Sequence, residues 1–149
     1  MRRILDPVQF VLIPAHVTLC REDELEGISP ALLQQRLERS EINPLTLAFG
    51  PPEDFSTHGV LLPCVSGEEE FRALRQVILG SGATRLQHPH ITLAHPRNPK
   101  VVRNRLATAQ TLDNLKITFA SVCRIEQDLG APWKVLQRLP LAAAAASDA

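Results

Sequence analysis

The chain has 149 residues, 44% of them hydrophobic, and its 16 basic side chains balance 16 acidic ones to a net charge of zero. This length and composition suit one compact domain with a sizeable core, and a neutral chain is not expected to coat long duplex nucleic acid through bulk charge. The apolar run after Arg2 and Arg3 is broken by Asp6 and Pro7, and no run is long enough to span a bilayer. We therefore expect neither a signal peptide nor a membrane span.

The cysteine content indicates a reducing compartment. The chain has an odd number of cysteines without CxxC spacing, at Cys20, Cys64 and Cys123. Reduced thiols in a cytoplasmic protein are the simplest interpretation of such a set.

The first half of the chain is predicted to contain three strands, a helix and a loop. Apolar residues at 8–13 and alternating ones at 15–20 predict two successive strands. A helix is predicted from Pro30, preceded by the N-cap Ser29, to about Arg39. Residues 45–49 alternate as a strand, and the Gly-Pro-Pro that follows predicts a loop at 53–58.

The second half repeats this mixture of strands and helices. Apolar alternation predicts strands at 59–65, 85–95, 112–125 and 133–139. A capping box formed by Ser66 and Glu69 predicts a helix that stops at Gly80. A third helix is predicted from Pro99 to about Thr108.

A four-residue motif occurs twice. His16-Val17-Thr18-Leu19 recurs 74 residues later as His90-Ile91-Thr92-Leu93, and the register extends without a gap over residues 4–19 and 78–93. In a strand, successive side chains point to opposite faces, so each His and its Thr would share one face while the branched residues pack into the core. A repeat in fixed register predicts two similar lobes, each contributing one His and one Thr.

The repeat also predicts the architecture. We expect an α+β protein in which two antiparallel-rich sheets, related by a pseudo-two-fold axis, flank a central cleft. Residues 1–141 would form this single two-lobed domain, followed by a disordered alanine-rich tail at 142–149. Residues 1–6 align only with the end of a helix in the second copy, so we expect the first lobe to be truncated at its N-terminus.

Convergence of the two motifs in one cleft would create an acid-base site. Paired imidazoles from His16 and His90 suit proton transfer near neutral pH, one as base and one as acid. The hydroxyls of Thr18 and Thr92 can hold an anionic group such as a phosphate. The alternative is that both motifs persist from a duplication as packing elements alone.

Neighbouring residues allow further interpretations. His88 could order His90, line the cleft or join a zinc site, but no acidic or Cys ligand stands at a useful spacing, so we expect no metal and no cofactor. Arg97 could contact a phosphate or be a solvated loop residue. Trp133 and Phe49 could stack on a base, although core packing is the simpler role for each.

The repeated H-[VI]-T-L motif resembles the signature of the two-histidine phosphoesterase superfamily, which includes bacterial 2′-5′ RNA ligase-like proteins and cyclic nucleotide phosphodiesterases. The resemblance implies a bilobal fold and metal-independent hydrolysis of 2′,3′-cyclic phosphates on RNA ends or nucleotides, or the reverse 2′-5′ joining. By the same resemblance His16 and His90 are the acid and base, and Thr18 and Thr92 bind the phosphate. A module that binds a nucleotide or an RNA terminus without turning it over is the alternative.

Overall fold

The computed structural model describes residues 1–40, 42–56, 59–82, 84–96, 105–112 and 114–141. Within these ranges the protein is a mixed α+β structure with two antiparallel sheets, which confirms the predicted fold class. Arg97, the start of the helix predicted from Pro99 and the alanine-rich tail lie outside the described residues.

Helices predominate at the start of the chain, and the strands follow in groups separated by single helices. The α-helices are α1 (Arg2–Leu5), α2 (Pro7–Leu12), α3 (Pro30–Ser40), α4 (Glu68–Leu79) and α5 (Arg105–Ala109), and a 3-10 turn spans Glu22–Leu25. The strands are β1 (Leu45–Phe49), β2 (Glu53–Phe55), β3 (Gly59–Ser66), β4 (His90–Ala94), β5 (Leu115–Phe119), β6 (Ser121–Glu126) and β7 (Lys134–Pro140).

The larger sheet has five strands and forms around β3. This strand pairs antiparallel with β2, β1 and β4, and β1 pairs in turn with β5. The smaller sheet is the hairpin of β6 and β7. No helix in the described ranges is sufficiently long and apolar to cross a membrane.

The core lies between one face of the larger sheet and the helices. Buried side chains alternate along the strands, as expected for a sheet with one covered face. They join the apolar face of α4 and the inner side of α3 in one cluster, whose members include Leu47, Phe49, Leu62, Ile91, Leu93, Phe71, Leu74, Ile78, Leu33 and Leu37. The covering of Ile91 and Leu93 leaves the opposite face of β4 free to carry polar groups.

Several predicted elements are confirmed. The helix beginning at Pro30 and the strands near 45–49, 59–65 and 133–139 occur with small shifts in their ends. Helix α4 ends at Gly80, which adopts the left-handed conformation (φ 66°) that favours glycine at this position. A helix at Arg2–Leu5 agrees with the register that aligns residues 1–6 with the end of a helix.

Two predictions for the N-terminal segment are wrong. Residues 8–13 lie mainly in α2 and its cap, not in a strand: Pro7 occupies the first turn and the Asp6 carboxylate accepts the Gln9 N–H at 3.2 Å. A short apolar run fits a helix or a strand equally well, and the capping residue decided the outcome. Residues 15–20, which carry the first motif, have no strand assignment.

Other predicted boundaries also differ. The segment 53–58 is not all loop, because Glu53–Phe55 pairs with β3 as β2. The strand predicted at 85–95 is limited to β4, and the strand predicted at 112–125 is divided at Ala120 into β5 and β6, which belong to different sheets. Each of these differences depends on tertiary pairing that local alternation does not specify.

The capping box predicted from Ser66 and Glu69 does not form. Ser66 ends β3, and Gly67 is the N-cap of α4 with φ 97°. A Cβ at Gly67 would collide with the carbonyl oxygen of Thr46. The close approach of β1 to the start of α4 therefore requires glycine at this cap.

Candidate active site

The second motif lies on a paired strand, as predicted. Ile91 and Leu93 are buried, whereas His90 and Thr92 are partly exposed on the other face of β4. Pro63 of β3 stands opposite His90, and Leu61 stands opposite Thr92. Pairing with a central strand gives the imidazole and the hydroxyl of this copy a rigid support.

The first motif is extended but is held by side chains. The Gln87 side-chain amide donates a hydrogen bond to the Thr18 carbonyl at 2.5 Å, and the Arg75 guanidinium donates to the Leu19 carbonyl. Val17 and Leu19 pack against the core, and Thr18 is exposed. The predicted alternation of side chains therefore holds, although the predicted strand does not.

Both imidazoles make the same local hydrogen bond. Nδ1 of His16 lies 2.8 Å from the carbonyl oxygen of Pro14, and Nδ1 of His90 lies 3.0 Å from the carbonyl oxygen of His88. A carbonyl oxygen only accepts hydrogen bonds, so Nδ1 must carry the proton in each neutral ring. This tautomer leaves the lone pair on Nε2, which makes Nε2 the atom that can exchange a proton with a substrate.

The surroundings of His16 lower its pKa. Burial is the largest influence on the pKa of His16 and lowers it, and the positive charges of Arg2 and His90 lower it further. The hydrogen bond to Pro14 acts in the opposite direction but is outweighed. The neutral form of His16 is therefore favoured.

An aromatic ring lies beside each imidazole. The Trp133 ring centroid is 4.4 Å from that of His16, with the planes inclined at 54°, and the Phe55 centroid is 6.4 Å from that of His90. The backbone N–H of Trp133 also donates to the Leu12 carbonyl at 2.9 Å, which ties the start of β7 to the segment before the first motif. Trp133 thus packs against the site, whereas Phe49 is fully buried in the core and is unavailable for stacking on a base.

Arg2 connects α1 to the second motif. Its guanidinium donates to the Thr92 carbonyl at 2.6 Å, and the residue is only 5% exposed. The Asp6 carboxylate accepts the backbone N–H of His95 at 2.9 Å, so a second contact joins the same region to the end of β4. The sequence contained no sign of these contacts, because they span about ninety residues and involve a residue type that is common on surfaces.

Arg75 connects α4 to the first motif. It is 1% exposed, forms an ion pair with Glu24 at 2.6 Å, and donates to Gln87 and to the Arg85 carbonyl, each at 3.1 Å. Burial raises the pKa of Glu24, but the hydrogen bonds from Arg75 and from the Arg21 N–H outweigh it and the net pKa is lowered. Sequence reasoning missed Arg75, although its place on the buried face of α4 was a usable signal.

The remaining candidate residues have different positions. The His88 side chain is 71% exposed and its Nδ1 lies 3.1 Å from a Glu68 oxygen, so it is the backbone carbonyl of this residue that orders His90. Burial raises the pKa of Cys20 to about 11, as expected of a packed thiol. Where side chains are described, no three His, Cys, Asp or Glu residues form a group that could hold a metal ion.

A cavity of about 470 Å³ opens beside the start of α4. Its walls include Lys116 and Thr46 together with the acidic residues Glu68, Glu69 and Glu70. Glu68 connects it to His88, but neither motif histidine is among its lining residues. An acidic wall does not favour an anionic phosphate, so this cavity does not compete with the two motifs as a phosphate site.

Comparison with known proteins identifies the family. No curated protein matches the chain. A family model described as the 2′-5′ RNA ligase superfamily matches residues 1–131, which include both motifs and most of the two sheets. The chain therefore belongs to the 2′-5′ RNA ligase superfamily, the two-histidine phosphoesterase superfamily that its repeated motif resembles.

Proposed function

We propose that the protein is a metal-independent phosphoesterase that acts on 2′,3′-cyclic phosphates or 2′-5′ linked RNA ends, in the cytoplasm, by two-histidine acid-base catalysis. The observation that carries the proposal is the matched state of His16 and His90. Each ring donates through Nδ1 to a carbonyl two residues earlier, and each therefore keeps Nε2 for chemistry. Membership of the superfamily supports the same class of reaction.

The environment of His16 supports a role as the base in hydrolysis. Its lowered pKa favours the neutral ring, which can accept a proton from water through Nε2. The water oxygen then forms a bond to phosphorus. As the bond from phosphorus to a ribose oxygen breaks, Nε2 of protonated His90 donates a proton to that oxygen. Ligation would follow the same steps in the same direction, with a ribose 5′-hydroxyl in place of water: its oxygen bonds to phosphorus, the 3′-oxygen leaves with the proton from His90, and a 2′-5′ phosphodiester remains.

The threonines would bind the phosphate. Each hydroxyl can donate one hydrogen bond to a non-bridging oxygen, and Thr92 stands on the same face of β4 as His90. The corresponding position in the first motif is the exposed Thr18. Arg97, just past β4 in the sequence, and His88 stay predicted substrate contacts.

The size of the expected catalysis supports a mechanism without a metal step. A positioned acid and a positioned base each contribute about 10²–10⁴-fold, or together about 5–11 kcal/mol of the barrier. A strained cyclic phosphodiester requires less assistance than an unstrained one. Two histidines and two hydroxyls are therefore a sufficient set of groups.

The direct test is incubation of the purified protein with a 2′,3′-cyclic nucleotide. Ring-opened product, followed by phosphorus NMR, is expected, and the position of the remaining phosphate shows which ribose oxygen leaves. A 3′,5′-cyclic nucleotide is the matched control substrate, because its less strained ring should react far more slowly. A 2′-5′ linked dinucleotide tests the second substrate class.

Two further results would change the assignment. Binding of the cyclic nucleotide without any ring-opened product would favour the binding module. Complete loss of activity in EDTA, restored by zinc, would favour the metal alternative that involves His88 and His90. Activity that is indifferent to EDTA and absent in both His16→Ala and His90→Ala supports the proposal.

A further inference from the structure

Two buried arginines link the halves of the molecule in a crossed arrangement. Helix α1 precedes the first motif, yet its Arg2 bonds the Thr92 carbonyl of the second motif at 2.6 Å. Helix α4 precedes the second motif, yet its Arg75 bonds the Leu19 carbonyl of the first. Both residues are at most 5% exposed. Each motif is therefore fixed to the helix that leads into the other.

The two arginines differ in how their charge is compensated. Arg75 is paired with Glu24 and surrounded by oxygen acceptors. Arg2 has one carbonyl acceptor, its Nε is buried without a hydrogen-bond partner, and no carboxylate of the described residues lies within 4.0 Å of its nitrogens. Asp6 acts on Arg2 from a longer range. Among the described residues, the positive charge of Arg2 is therefore only partly offset.

The positive charge of Arg2 acts on groups that take part in the proposed reaction. Among the described residues, the charged groups that act on His16 are Arg2 and His90, and Arg2 also contacts the residue proposed to bind phosphate. Trp133 and the Pro14 carbonyl, which also contact His16 in the described part of the chain, carry no charge. A fixed cation in a partly buried site both discourages protonation of the base and attracts an anion.

We infer that Arg2 is a positioning residue of the proposed reaction, which fixes the backbone that presents Thr92 and places a buried positive charge at the second motif, within electrostatic range of His16. This inference rests on the proposed function for its catalytic meaning. Its electrostatic part concerns the free protein and can be measured without a substrate.

The experiment compares three variants at adjacent positions. Arg2→Gln removes the charge but keeps a side-chain donor for the Thr92 carbonyl, Arg2→Lys keeps the charge, and Arg3→Gln removes a charge from an exposed neighbour. NMR titration of the His16 ring, assigned through His16→Ala, should show the pKa of His16 raised by about half a unit to one unit in Arg2→Gln. Arg2→Lys should keep most of the wild-type value, and Arg3→Gln should match the wild type.

Activity provides the second measurement. With a 2′,3′-cyclic nucleotide, the acidic limb of the kcat/KM profile should move to higher pH in Arg2→Gln by the same amount as the titration. The value of kcat/KM at neutral pH should fall about 10-fold or more, consistent with a lost charge-assisted contact. Arg2→Lys should recover most of the loss.

The possible outcomes separate this inference from the proposed function. An unchanged His16 titration in folded Arg2→Gln overturns the inference even if the enzyme is active. If Arg2→Gln does not fold, Arg2→Met is the second neutral variant, and failure of both to fold would make Arg2 purely structural and also overturn it. A wild-type protein that turns over none of the substrates defeats the proposed function, while the titration still decides whether the charge of Arg2 acts on His16.

Discussion

The two copies of the motif have nearly the same sequence but are held in different ways. His90–Leu93 is part of β4, where the backbone of β3 fixes its register. His16–Leu19 has no strand partner among the described residues, and its carbonyls are held by the side chains of Arg75 and Gln87. The orientation of each imidazole is nevertheless the same, because both Nδ1 atoms bond a carbonyl two residues earlier.

This difference shows which interactions of the motif are local and which depend on tertiary contacts. The His-to-carbonyl hydrogen bond needs only the motif and the two residues before it, so it survives in both contexts. Strand pairing needs a neighbour at the correct distance, which only the second copy has. We therefore expect the first copy to depend on a few side chains and the second to tolerate their loss.

The largest effect should come from removing either imidazole. His16→Ala or His90→Ala should lower kcat by about 10²–10⁴-fold, because each removes one partner of the proton transfer. The double variant should lose much less than the product of the two factors, since the residues act as a unit. Circular dichroism spectra and melting temperatures close to the wild type would show that the fold is retained.

His88→Ala completes this comparison. The substitution removes an exposed side chain but keeps the carbonyl that orders His90, so activity should change by less than about 3-fold if only the carbonyl matters. A much larger loss would identify the His88 side chain as a substrate contact. Equal activity of all three single variants and the wild type would refute the two-histidine mechanism.

The next largest effect should come from the side-chain support of the first motif. Arg75→Met would leave the Glu24 carboxylate, whose side chain is 9% exposed, without its ion-pair partner. Breaking a buried pair in this way typically costs about 3–5 kcal/mol, which corresponds to a decrease of about 6–20 °C in Tm. Hydrogen exchange should increase more at residues 17–20 than in β4.

Arg85→Met is the matched control for this prediction. Arg85 pairs with Asp23 at the same 2.6 Å distance, but both side chains are about half exposed. Solvent screens exposed pairs and they contribute little to stability, so the change in Tm should be small. A decrease as large as that of Arg75→Met would show that burial is not the cause.

The sequence predicted the features that depend on local interactions and missed those that depend on tertiary contacts. Local signals located α4 and its Gly80 terminus, most strands of the larger sheet, and the repeated motif that identifies the superfamily. They failed for residues 8–13, where an apolar run is compatible with two structures and the Asp6 cap selected the helix. The crossed contacts of Arg2 and Arg75 could not be predicted, because no local pattern specifies which distant carbonyl a buried arginine will bond.

The threonines should show a smaller effect that differs between the copies. Thr92→Val should reduce kcat/KM by about 10²-fold, because its hydroxyl is presented by a paired strand whose carbonyl is fixed by Arg2. Thr18→Val should reduce it less, since Thr18 is exposed on a segment without strand pairing and its hydroxyl is less pre-organised. Steady-state kinetics with the cyclic nucleotide measure both. Equal losses would mean that strand pairing does not affect how well each hydroxyl binds the phosphate.

The smallest effect should be a dependence of stability on pH in two separate windows. The pKa of His16 is lowered on folding, so the unfolded chain binds the proton more readily, and stability should fall as pH decreases from about 6.5 through the folded pKa. The slope for one group is at most about 1.4 kcal/mol per pH unit. The pKa of Glu24 is also lowered, so its contribution is present above about 4.5 and is lost as pH falls through the folded value.

Urea unfolding at a series of pH values can assign each window to one residue. His16→Gln should flatten the change that begins below about pH 6.5 and leave the more acidic one in place, because an amide does not titrate. Arg75→Met should do the reverse, since it removes the hydrogen bonds that lower the pKa of Glu24. His16 belongs to the first motif and Glu24 pairs with the arginine that supports it. If both variants kept both pH-dependent changes in stability, neither change could be assigned to these two residues.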